Sequence, residues 1–169
     1  IISKNKSVPT KELTYLIKLL KTTFKIDVCK RTIKIKEESL YNRGVYEDVD
    51  YEEDKWNQIN SNLNTYKNLI EDVIGKKDTI HLHKTDKSGV FLRTTATRAR
   101  KFHAIVPAFQ ENHQHLLDIK TPSCGESKKK FVSHELTKLY NGYTQTSENF
   151  IETIECKFKQ FIKRLKSYS

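Results

Sequence analysis

From Trp56 to Val73 the chain sets Trp56, Ile59, Leu63, Tyr66, Ile70 and Val73 at successive intervals of 3, 4, 3, 4 and 3 residues. That rhythm draws one apolar stripe along an α-helix, close to the heptad seam of a coiled coil. It predicts a helix of about 25 residues, roughly 37 Å long at 1.5 Å per residue. The acids Glu47, Asp48, Asp50, Glu52, Glu53 and Asp54 precede the seam, where negative charge complements the helix dipole. Gly75 follows it in a fitting C-terminal position. A helix with a single apolar seam cannot bury it alone, so the fold must supply a partner of similar length.

The sequence holds one such partner. Ser133 is placed to cap a helix with Glu135 in its first turn. Leu136, Leu139/Tyr140, Tyr143, Phe150, Ile154, Phe158, Phe161/Ile162 and Leu165 then form a stripe, interrupted by Gly142. About 34 helical residues would span roughly 50 Å. Packing antiparallel against the first seam is the simplest way to bury both. A shorter helix is predicted over 9–26, with Pro9 in its first turn and Leu13, Leu16/Ile17, Leu20 and Phe24 on one side. Residues 27–46 are irregular, with loose alternation at Thr32, Ile33 and Ile35 and a turn at Asn42-Arg43-Gly44.

Between the long helices the pattern changes to strand. Ile80 and Leu82 alternate with His81 and His83, and Val90 and Leu92 with Phe91 and Arg93. Lys84–Gly89 reads as the hairpin turn between them. The β-branched, basic run Thr94–Arg100 is expected to prolong the sheet, and Leu116, Leu117 and Ile119 to add a strand. The expected fold class is therefore α+β and mostly α. Long antiparallel helices would carry a small antiparallel β-sheet at their tip, with divisions at 1–75, 76–132 and 133–169.

Charge is concentrated in the middle segment. Residues 76–132 hold twelve Lys and Arg against five acids, or 12 − 5 = +7 of the net charge of +10. A basic patch on a structured head offers a polyanion a handhold, and a solubilising surface is the plain alternative. With 31% charged and 36% hydrophobic residues, the chain suits an elongated shape with much surface. No apolar run approaches the roughly 20 residues that cross a bilayer, and no signal peptide is visible, so no membrane partner is expected. Cys29, Cys124 and Cys156 are odd in number and widely spaced, which points to a reducing, intracellular compartment. The chain has no Met and begins at Ile1, as a piece of a longer protein would.

Other chemistry finds little support. His81/His83 and His113/His115 have the i, i+2 spacing of a chelate on one strand face, but only Glu111, Asp118 and Cys124 lie near as further ligands. They are expected to be partly exposed histidines that add pH-dependent charge to the patch, not a metal site. Cys124 has no ordered base beside it in sequence, and no GxxxxGK[ST] loop exists, so neither nucleophilic catalysis nor nucleotide hydrolysis is expected of this chain.

Three stretches in order resemble the lever and clamp region of MutS-type DNA mismatch-repair proteins. Residues 40–75, with Gly44-Val45 and Tyr51-Glu52-Glu53-Asp54-Lys55, are similar to that family's lever helix and its leading stretch. Residues 86–102 (DKSGVFLRTTATRARKF) resemble the clamp hairpin, and 120–143 resemble the passage into the returning helix, most closely at Lys130-Phe131-Val132 and Ser133-His134-Glu135-Leu136. The resemblance implies descending lever helices over 1–75, a β-rich clamp over 76–132 and a returning lever helix over 133–169. It implies a nonspecific clamp on the backbone of double-stranded DNA, in a parent protein that is dimeric. ATP and magnesium serve the parent family in a domain absent here, so this chain is expected to hold no cofactor and to be no enzyme. Carried over by position, the contacts are Lys84, Thr85, Lys87 and Ser88 in the hairpin and Lys120, Thr121, Ser123 and Lys128 in the return loop. Charge alone adds Arg98 and Arg100. The competing expectation is a coiled-coil-like interaction module whose basic head docks on an acidic protein.

Overall fold

The computed structural model describes residues 10–31, 38–109 and 116–166. The protein is α+β and mostly α, with one small antiparallel sheet. Its contacts divide it into two compact units, residues 1–54 with 149–169, and residues 55–148. Two long helices, α3 (Glu47–Ile74) and α5 (His134–Lys166), each supply residues to both.

The first unit also contains α1 (Thr10–Thr23) and α2 (Ile26–Lys30). Its core is aromatic: Phe24 stacks on Tyr41 at 5.2 Å and meets Phe161 edge-on at 4.9 Å. The Asn42 side chain donates to the carbonyls of Lys21, Thr22 and Phe24, which satisfies the end of α1. Gly44 takes a φ of +83° in the expected turn. The buried Glu53 carboxylate accepts from Ser39 N at 2.7 Å. The expected stripe of α1 is mostly uncovered: Leu13, Leu16 and Ile17 are exposed, and only Phe24, just past the helix, is buried. Pro9 and the alternation at Thr32, Ile33 and Ile35 lie outside the described residues.

The second unit is built on the predicted seam. Trp56, Leu63, Ile70 and Val73 are buried along α3, and Leu136 and Tyr140 along α5. Within this unit the two helices run antiparallel. Trp56 meets the Tyr143 ring at 6.4 Å, the backbone of Gly142 lies against Ile59, and Tyr66 donates to Glu135. A Cβ at residue 142 would sit 3.4 Å from Ile59 Cδ1, so glycine there permits the close approach. Gly75 ends α3 at φ +72° with Lys76 N bonded to Glu71 O and Gly75 N to Asp72 O, a Schellman closure. Ser133 caps α5, its Oγ accepting from Leu136 N at 3.1 Å.

The sheet comprises β1 (His81–Thr85), β2 (Gly89–Thr95), β3 (Ser123–Gly125) and β4 (Lys128–Lys130), in the order β1-β2-β4-β3. Two expectations are corrected here. The run Thr94–Arg100 does not stay extended, because Thr95 caps a helix, α4 (Ala96–Ile105), with its hydroxyl accepting from Arg98 N. The cap and the helix-forming Ala, Arg and Lys that follow outweigh the β-branched threonines. Nor do Leu116, Leu117 and Ile119 form a strand. Ile119 N bonds to Leu116 O in a turn that buries Leu116 and Ile119 and leaves Leu117 exposed. Their i, i+3 spacing, not the neighbouring pair, decided which face was apolar.

Candidate nucleic-acid interface

The hairpin forms where the sequence placed it. β1 pairs with β2 from His81↔Arg93 to Thr85↔Gly89, and the turn is held by Ser88 N donating to Thr85 Oγ1 at 3.0 Å. Gly89 has φ +63°, the left-handed conformation that suits glycine at a tight reversal. Lys84, Lys87 and Ser88 are exposed and Thr85 half-buried. The hairpin is anchored at its base by Glu71, a fully buried carboxylate accepting from Thr79 N at 2.7 Å and Ile80 N at 2.9 Å. Burial opposes its ionisation, but the Ile80 and Thr79 N–H groups and the nearby Lys67 outweigh that, so its pKa lies below the usual glutamate value.

The remaining expected contacts gather at the other end of β2. Lys128 is paired directly with Thr95, and Ala96 N bonds to Ser127 O, so the β3–β4 turn abuts the start of α4. Arg98 is half-buried in the first turn of α4, and Arg100 is exposed further along. Lys120 pairs with Val132 through its backbone and leaves an exposed side chain. Two of the expected hydroxyls already have side-chain partners. The Ser123 hydroxyl accepts from Lys129 Nζ at 2.8 Å, and the Thr121 hydroxyl lies 2.8 Å from His103 Nε2.

Six residue steps separate Gly89 from Thr95, or about 20 Å at a strand rise of about 3.3 Å. The structure therefore places Lys84, Thr85, Lys87 and Ser88 at one end of β2 and Arg98 and Lys128 at the other. Between them lies a set of side chains that the sequence reading left out. Arg93 is flanked in register by His81 on β1 and Lys130 on β4. Its guanidinium lies 3.2 Å from His83 Nε2, and Lys130 Nζ sits 5.6 Å from the centre of the Phe91 ring. The alternation of Phe91 and Arg93 with Val90 and Leu92 was a signal for this face. The pairing of β2 with β4, distant in sequence, was not.

Ion pairs among the described residues are concentrated outside the basic segment. Outside the basic segment, Lys25 pairs with Glu53, Lys30 with Asp27, Arg31 with Glu38, Arg43 with Asp50 and Asp54, and Lys157 with Asp48. Of the twelve Lys and Arg in 76–132, only Lys77 makes an ion pair among the described residues, with Asp72. The unpaired cations share one sign over one small sheet and one helix, so their potentials add.

Among the described residues no group of three or more His, Cys, Asp and Glu side chains could hold a metal ion. His113 and His115 lie outside those residues. Cys29, Cys124 and Cys156 are free thiols, and Cys124 packs against the hydrophobic core. No helix of the described residues is long and apolar enough to cross a membrane. No protein-family model matches the chain, and no curated protein does.

Proposed function

We propose that residues 76–132 form a sequence-independent grip on the backbone of double-stranded DNA, the clamp of a MutS-like mismatch-repair protein with α3 and α5 as its lever. What supports the reading is the set of cations in 76–132 left without carboxylate partners on and beside the sheet, while ion pairs are concentrated in the rest of the described chain. Lysine and arginine neutralise phosphates wherever they fall along a duplex, and nothing in the strands offers the flat, exposed aromatics on which single-stranded bases stack. A span of about 20 Å along β2 corresponds to roughly six base pairs at 3.4 Å each, so both ends of the sheet can meet one duplex. In this reading the chain binds without catalysis. The ATP and magnesium of the family act in another domain of a dimeric parent.

The test is duplex binding by fluorescence anisotropy at low salt, with the protein and with Lys84→Glu combined with Lys87→Glu. Both lysines are exposed, so the double variant should fold normally. Two reversed charges should weaken binding by at least tenfold. Undiminished affinity would remove the hairpin from the interface. Binding to acidic proteins with no binding to DNA would favour a protein-docking head instead.

A further inference from the structure

Strands β1, β2 and β4 contain no acidic residue, yet they align His81, Arg93 and Lys130 as direct neighbours across the sheet. Lys128, two register pairs further along and so on the same face, continues the basic row towards α4. Like charges placed opposite one another across strands destabilise a sheet unless something of the other sign lies between them. Arg93 and Lys130 are also half-buried, so they hold their positive charge in partly desolvated positions with no carboxylate partner among the described residues. The row spans two interstrand spacings, about 10 Å.

We infer that this face of the sheet is a seat for the phosphodiester backbone, with Arg93 and Lys130 as its contacts and His83 as the residue that positions Arg93. The inference rests on the duplex-binding reading and deepens it by moving the centre of the interface from the hairpin and return loop to the strands between them. The contact at 3.2 Å identifies His83 Nε2 as acceptor and the Arg93 guanidinium as donor. One arm of a fork with five donors is thereby fixed, and the rest stay free for phosphate oxygens. Lys130 lies over Phe91, a ring that limits where its ammonium can go. His81 extends the row at the exposed edge of β1. Phosphate seated here would supply the negative charge that the sheet itself lacks.

The experiment compares Arg93→Gln, Lys130→Gln, His83→Ala and His83→Gln with the hairpin pair Lys84→Gln plus Lys87→Gln, in the full chain. Duplex affinity is measured from 50 to 200 mM salt, and thermal stability is measured without DNA. Losing one phosphate contact should weaken binding roughly five- to tenfold near 0.1 M salt and lower the salt slope by about one. Arg93→Gln and Lys130→Gln should each do this while leaving the melting temperature unchanged or raised, since a like charge has been removed. His83→Ala should weaken binding, and His83→Gln, which keeps an acceptor, should restore it. If the hairpin pair weakens binding and neither Arg93→Gln nor Lys130→Gln does, the seat is wrong and the duplex reading stands. A melting temperature that falls with Arg93→Gln, at unchanged affinity, assigns the row to structure and overturns the seat. If the unaltered chain fails to bind duplex at 50 mM salt, the duplex reading falls and the seat with it.

Discussion

Removing the Glu71 carboxylate should unfold the basic sheet more effectively than any change on its surface. The side chain is 1% exposed and accepts from Thr79 N and Ile80 N, both on buried residues at the root of β1. Glu71→Ala would leave two buried N–H groups unsatisfied at about 1–3 kcal/mol each, so a loss of about 4 kcal/mol is expected. For a unit of this size that corresponds to a fall of roughly 15–30 °C in melting temperature. Glu71→Gln keeps an acceptor but not the charge, and charge-assisted bonds are about twice as strong as neutral ones, so it should cost about 1–2 kcal/mol. The pH dependence has a definite sign. The folded-state pKa of Glu71 is lowered, so its contribution is complete above the ordinary glutamate value of 4.5 and is lost as pH falls through the lower folded value. Melts followed by circular dichroism at pH 7 and pH 3.5 would show the gap between the native chain and Glu71→Gln narrowing in acid. A loss under about 1 kcal/mol for Glu71→Ala, or a gap unchanged by pH, would refute the assignment of Glu71 as the anchor of the hairpin.

Other consequences follow from the same unit. The Tyr140 hydroxyl donates to Phe131 O at 2.9 Å and accepts from Leu92 N at 3.1 Å, bridging the backbone beside the β2–β4 pairing. Tyr140→Phe should cost about 1–3 kcal/mol, and native-state hydrogen exchange should show the Leu92 amide exchanging faster. Gly75→Ala forces a side chain into φ +72° without a serious clash, the nearest atom being Lys101 Nζ at 3.9 Å. Urea unfolding should report about 1–2 kcal/mol of destabilisation from the backbone alone, with an unchanged m value.

Local signals carried most of what the sequence revealed. The α3 seam, the Gly75 closure, the Ser133 cap and the Lys84–Gly89 turn each depend on residues within one or two turns of chain. α4 was hidden because Thr94, Thr95 and Thr97 carry strand propensity, whereas Thr95 in fact caps a helix. The buried turn at Leu116–Ile119 was hidden because three apolar residues in four fit either period. The candidate interface was half legible. Its charge could be counted, but Arg93 and Lys130 become neighbours only through the pairing of strands more than thirty residues apart. Nor could the sequence show that Ser123 and Thr121 already have partners in Lys129 and His103.

The most direct measurement is the salt dependence of duplex binding by the unaltered chain. If about five of the unpaired cations reach phosphates, log K should fall against log salt with a slope near −4.5, which is roughly a 500-fold loss between 50 and 200 mM. Duplexes of unrelated sequence should give the same line. Affinity that is flat with salt, or absent at 50 mM, would contradict a phosphate grip on this sheet.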